Sequence, residues 1–259
     1  MYEGLLVSFG VFIILGVVSY LGAWYTTKKN SPHALLGIYI LFLTLAQFFA
    51  AKITIFDFGL IELIAPAGII VFPFTLQVTD MVNEKFGRKA VYEMIWIAFF
   101  SQVTMVILLI IANFPPATDS DPLISFAIVP AITIASWISF LISERFDAWI
   151  YDKFKQWIHD KTLGGKEWWK YLWIRNVFSD ILSLGLDSLI FVPLAFLVLP
   201  SIHGVFDPSA LDLILPIEVI VDLIIGQLIT KWILGLIDTP YMYLTRFIYG
   251  NTTVTSHEL

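Results

Sequence analysis

Seven apolar runs alternate with polar stretches along the chain, and each is long enough to cross a bilayer as a helix. They cover about Gly4 to Tyr25, Ala34 to Ala51, Leu60 to Val82, Val91 to Ala112, Leu123 to Ile142, Leu172 to Leu199 and Leu213 to Ile237. A crossing takes about 20 mostly apolar residues, and a helix satisfies its own backbone hydrogen bonds in hydrocarbon. The third run carries Pro66, Gly68 and Pro73, which free backbone carbonyls and predict a bent or broken helix. The first run lacks a basic stretch ahead of its apolar core, so it reads as a permanent helix rather than a secretory signal. From Glu144 to Asp160, Phe146, Trp149, Ile150, Phe154, Trp157 and Ile158 recur at helical spacing with polar residues between them. That amphipathic helix is expected either as a membrane-surface anchor, the favoured reading, or as an extension of the fifth span.

Composition agrees with the pattern. The 259 residues are 58% hydrophobic and 14% charged, against about 45–50% and 25% in soluble domains. That excludes a soluble enzyme or a nucleic-acid-binding domain, and leaves no room for a large domain outside the membrane. A net charge of −6 gives no polybasic footprint, so no nucleic-acid partner is expected. With no cysteine, and with His33, His159, His203 and His257 scattered over loops and tail, no metal site is expected either.

Basic residues orient the bundle. The loops after the first, third and fifth runs carry Lys28, Lys29, Lys85, Arg88, Lys89, Arg145, Lys153, Lys155, Lys161, Lys166 and Lys170, and the tail adds Arg246. The opposite loops hold only Lys52, beside Asp119, Asp121 and Asp207. The positive-inside rule then puts the N-terminus outside and the C-terminus in the cytoplasm. The expected fold is an all-α polytopic bundle of about seven transmembrane helices, a single domain over residues 1–259. Residues 144–170 would form its cytoplasmic amphipathic segment and loop.

Ionisable and amide groups at bilayer depth are costly, so they are the functional candidates. Asp80 and Glu84 share a helix face with Asn83 beside them, unless they mark only a solvated helix end. Asn176, Ser179, Ser183 and Asp187 make a polar stripe along the sixth span, beside Arg175 and Asp180. Such a stripe faces a polar interior or bonds a neighbouring helix. Lys231, in the last span, either snorkels to the interface or neutralises Asp187 or Asp80. Gln47, Glu62, Gln77, Thr79, Glu218, Asp222 and Gln227 complete the polar inventory of the spans. No P-loop, zinc-protease, nucleophile-elbow or dinucleotide motif occurs, so neither an enzyme nor a cofactor is expected.

One stretch resembles a known family. Phe72-Pro73-Phe74-Thr75-Leu76-Gln77-Val78-Thr79-Asp80-Met81-Val82-Asn83-Glu84-Lys85-Phe86-Gly87-Arg88-Lys89 is similar to the hallmark of the queuosine precursor transporters. Arg175-Asn176-x-x-Ser179 with Asp187-Ser188-Leu189-Ile190-Phe191, and Lys231 with Asp238-Thr239-Pro240 and Tyr243, resemble two further segments of that family. The likeness makes residues 34–244 the family-like core and 4–25 an additional helix. It departs at Leu184, where relatives often carry an amide.

The resemblance implies import of a 7-deazaguanine base such as preQ0, preQ1 or queuine, precursors of queuosine or archaeosine in tRNA, by alternating access across the plasma membrane. On it, Asp80 and Asp187 would bind the base and Asn83 and Asn176 would orient it, with Ser179 on the same face. Lys231 would balance a buried carboxylate, and Glu84 with Arg175 would close a cytoplasmic gate. Expected partners are the nucleobase and the lipid bilayer, with a homodimer left open. The rival readings are a substrate-binding subunit of an ATPase-energised vitamin uptake system, an intramembrane enzyme on lipids, and a non-transporting scaffold.

Overall fold

A computed structural model describes residues 2–50, 52–57, 62–112, 129–161, 168–203 and 214–249. Asp119, Asp121, Asp207, Lys166 and the tail beyond Tyr249 lie outside the described residues. The elements are helices α1 (Tyr2–Lys29) and α2 (His33–Ala50), strands β1 (Ile53–Asp57) and β2 (Glu62–Pro66), and then helices only. These are α3 (Phe72–Phe86), α4 (Arg88–Ala112), α5 (Val129–Lys161), α6 (Leu172–Pro193), the short α7 (Leu199–His203) and α8 (Ile217–Tyr249). Pro193 has no N–H to donate to the preceding turn, and α6 passes directly after it through a wider π turn, Leu194–Val198, into α7.

Among the described residues, five helical stretches have the length and apolarity to cross a membrane: Gly10–Lys29, His33–Ala50, Arg88–Leu109, Leu172–Ser201 and Ile217–Tyr249. Large apolar side chains face outward as well as into the core, while several charged ones lie inside. Ile14, Phe100 and Leu108 face outward at 60% exposure or more, whereas Asp80, Glu84, Arg175 and Asn176 are sealed within. A surface that apolar over a polar interior belongs to a multi-pass membrane protein.

The third run departs from the expected bent span over Leu60 to Val82. Its first part is the second strand of a β-hairpin, pairing Ile53 with Pro66 and Asp57 with Glu62 in antiparallel register. A 3-10 turn, Ala67–Ile70, then leads into α3. β-Branched Ile53, Thr54 and Ile55 favour extended backbone, and Pro66 closes the strand at φ −60° and ψ 138°. Pro73 falls in the first turn of α3, where its missing N–H removes no bond. The 15 residues of α3 rise about 22 Å, short of the roughly 30 Å hydrocarbon core.

The segment Glu144–Asp160 departs from the favoured surface anchor: it continues the fifth apolar run without a break as the second half of α5, with Glu144, Asp147 and Asp152 buried and Trp149 and Trp157 exposed.

Non-helical backbone at membrane depth is tolerated where protein buries it, and two glycines make that burial close. A Cβ on Gly68 would lie 2.1 Å from the Ala46 carbonyl oxygen of α2. One on Gly226 of α8 would lie 2.7 Å from the Ile64 carbonyl oxygen of β2. The hairpin and its 3-10 turn are thus seated against α2 and α8, backbone on backbone. Below them Phe74 of α3 meets Phe12 of α1 edge-on at 4.6 Å and Phe42 of α2 at 6.2 Å.

Gly68→Ala and Gly226→Ala are therefore expected to lower the thermal midpoint of the purified protein and its monodisperse yield in size-exclusion chromatography. Gly10→Ala and Gly37→Ala, which meet nothing within 4 Å, should leave both unchanged.

Candidate functional site

α5 and α6 carry the same polar spacing. Ser136, Ser139, Ser143 and Asp147 stand at i, i+3, i+7 and i+11 on α5, as Asn176, Ser179, Ser183 and Asp187 do on α6. The helices run antiparallel, so the stripes meet head to tail. The Ser139 hydroxyl donates to the Asp187 carboxylate, and the Ser183 hydroxyl donates to Asp147 Oδ1 at 2.9 Å. Two polar centres result, about 10–12 Å apart along each helix.

The first centre is a narrow cavity with about 60 Å³ of room inside, open at its mouth. Asp187 and Phe191 of α6, Gln227 and Lys231 of α8, Gln47 of α2 and Phe72 at the head of α3 line it, with Pro66 at the end of β2 and Gly68 of the 3-10 turn. The Lys231 ammonium donates to Asp187 Oδ2 and lies 4.6 Å from the Phe72 ring centroid. Gln47 and Gln227 are buried, and the side-chain oxygen of each accepts no hydrogen bond from the described residues. A buried acceptor left open beside an ion pair costs stability unless a ligand or water fills it. The wall offers a carboxylate, an ammonium, two amides and two aromatic faces.

The second centre lies where α3, α5 and α6 converge. One carboxylate oxygen from each of Asp80, Asp147 and Asp180 falls within 4.8 Å of the others, and all three residues are buried. Asn176 donates to Asp180 Oδ2 at 2.8 Å. At the end of α3, Glu84 Oε2 is 3.1 Å from Arg175 Nη2, accepts from the Tyr151 hydroxyl at 3.2 Å, and lies 3.9 Å from Lys155 Nζ. Lys155 also donates to the Asn83 and Glu84 carbonyls at 3.0 and 3.2 Å. A cation on the last carbonyls of a helix offsets the negative end of its dipole.

The structure sorts the sequence candidates accordingly. Asp187 and Lys231 come together in the cavity. Asp80 joins Asp147 and Asp180, while Glu84 pairs with Arg175. The Asn83 amide donates to the Ala148 carbonyl at 3.2 Å, and the Ser179 hydroxyl to the Asn176 carbonyl at 3.1 Å, both internal duties. Sequence reasoning counted Gln47 and Gln227 among the polar groups of the spans without giving them a role, and left Asp147 out. The signal for Asp147 was the stripe repeated on α5; for the glutamines it was an amide in an apolar run.

Comparison with known proteins adds identity to this geometry. A family model described as "putative vitamin uptake transporter" matches residues 66–245. A "probable queuosine precursor transporter" of Bacillus subtilis (strain 168) is 24% identical over 197 residues, covering 74% of this chain and 76% of that protein. No solved structure matches the chain.

The Asp187–Lys231 pair makes a separable prediction. Removing one partner of a buried ion pair strands the other charge, at a cost of about 3–5 kcal/mol, whereas replacing both is near neutral. Lys231→Met alone is expected to lower the thermal midpoint more than Lys231→Met combined with Asp187→Asn, measured in one detergent at fixed pH.

Proposed function

The chain belongs to the putative vitamin uptake transporter family, and we propose that it imports a 7-deazaguanine base, a precursor of queuosine or archaeosine, by alternating access. It is a multi-pass plasma-membrane protein. We orient it with its N-terminus outside and its C-terminus in the cytoplasm, on the bias of its basic loops.

The cavity carries this reading. A guanine-like ring presents a ring N–H and an exocyclic amine side by side, and one carboxylate accepts both in a charge-assisted fork. Asp187 supplies that carboxylate, since each of its oxygens retains a second lone pair beside its Ser139 and Lys231 bonds. Lys231 donates to the ring carbonyl. The open Gln47 and Gln227 oxygens accept from the pyrrole N–H or from an aminomethyl substituent. Phe72 and Phe191 cover the flat faces.

In this reading Asp80, Asn83, Glu84, Arg175, Asn176 and Ser179 act below the base rather than on it. The Glu84–Arg175–Lys155 cluster seals the cytoplasmic side, and opening it releases the base inward. The relative's name supports the substrate class, and the donors and acceptors of the cavity support its mode of binding.

Uptake of a labelled 7-deazaguanine into cells that lack their own synthesis route tests the proposal, with the modified nucleoside in tRNA as a second readout. Asp187→Asn and Lys231→Met are expected to abolish uptake. Gln47→Leu and Gln227→Leu should each raise KM about tenfold, the worth of one buried hydrogen bond. Wild-type uptake in both Asp187→Asn and Lys231→Met would overturn the site.

A further inference from the structure

The convergence of Asp80, Asp147 and Asp180 goes beyond substrate recognition. Their carboxylate oxygens lie within 4.8 Å of one another, about twice the 2.3–2.6 Å at which a hard cation binds oxygen. All three therefore fit on the shell of one ion. Ser183 already fixes one oxygen of Asp147, and the other accepts no hydrogen bond from the described residues.

A separate observation points the same way. Asn176 is fully buried, and its amide nitrogen, bound to Asp180, holds the head group beside that member of the three. Its amide oxygen has no hydrogen-bond partner among the described residues. An amide oxygen is a regular ligand for hard cations, and hydrocarbon offers nothing else to satisfy it.

The expectation of no metal site came from the histidines and cysteines, and a site built from oxygens alone escapes that test.

We propose that Asp80, Asp147, Asp180 and the Asn176 amide oxygen bind a hard cation that couples to the substrate cavity. The coupling half of the proposal rests on the importer reading; cation binding does not. The same two helices carry both centres, through Ser139 to Asp187 and Ser183 to Asp147. An ion drawing α3, α5 and α6 together would set the α5–α6 registry on which Asp187 depends.

Thermal unfolding of the purified full chain at fixed pH and matched ionic strength tests the site, with sodium, magnesium or calcium against N-methylglucamine. At saturation one of the metal ions is expected to raise the midpoint by about 5 °C or more. Asp147→Asn should lose that response while unfolding no earlier than wild type without metal, because one of three like charges is gone. Asn176→Ala should weaken the response about tenfold in concentration.

Three results would overturn the site: no metal ion shifting wild type, Asp147→Asn responding as wild type does, or stabilisation by lower pH alone, which would make protons the occupant. A metal-dependent midpoint in a chain that moves no deazaguanine sustains the site and overturns the importer reading alone. Import that ignores the metal sustains the importer and overturns the coupling.

Discussion

Two hydroxyl-to-carboxylate hydrogen bonds run in opposite directions between α5 and α6. Ser139 of α5 donates to Asp187 of α6, and Ser183 of α6 donates to Asp147 of α5. Without water to compete, each fixes a carboxylate rotamer as well as the sliding position of one helix on the other. Lys231 finds Asp187 because Ser139 holds that carboxylate toward α8. The three acids converge because Ser183 holds Asp147 toward α3. If the α5–α6 registry slipped by a turn, both centres would dissolve together.

The apolar elements were plain in the sequence because length and hydropathy are what a bilayer selects. α1, α2, α4, α6 and α8 fall on runs that read as spans. The hairpin was hidden, because hydropathy records that Leu63 and Ile64 are apolar but not whether their backbone pairs within a helix or with another strand. Gly68 and Gly226 were visible as residues, yet their role depends on which backbone each one faces. The lower half of α5 was obscured for a different reason. Asp147 stands among Glu144, Arg145, Asp152 and Lys153, and a charged neighbourhood in sequence resembles a wet surface even when one face of the helix is sealed.

The candidate site was legible in its charges and much less so in its pairings. Asp187 and Lys231 stood out because isolated charges in apolar runs demand a partner, and spacing alone could not decide whether Lys231 served Asp187 or Asp80. The acids of the second centre come from three helices separated by long stretches of chain, so no local pattern could gather them. Gln47 lies on α2, ahead of the 66–245 stretch that the family model matches. The cavity thus borrows part of its wall from outside the most family-like portion of the chain.

α3 has one more consequence. Phe72 at its head touches the cavity, Asp80 near its middle meets the acids, and Glu84 near its foot holds Arg175. One continuous helix therefore serves as a ruler and a protractor for three stations. Each residue of an α-helix adds about 1.5 Å and turns the next side chain by about 100°. A single inserted or deleted residue between Phe72 and Glu84 would swing one end out of phase with the other, whatever its chemistry. Every residue from Pro73 to Glu84 is buried, so the stretch can exchange one packing side chain for another, but its length is locked.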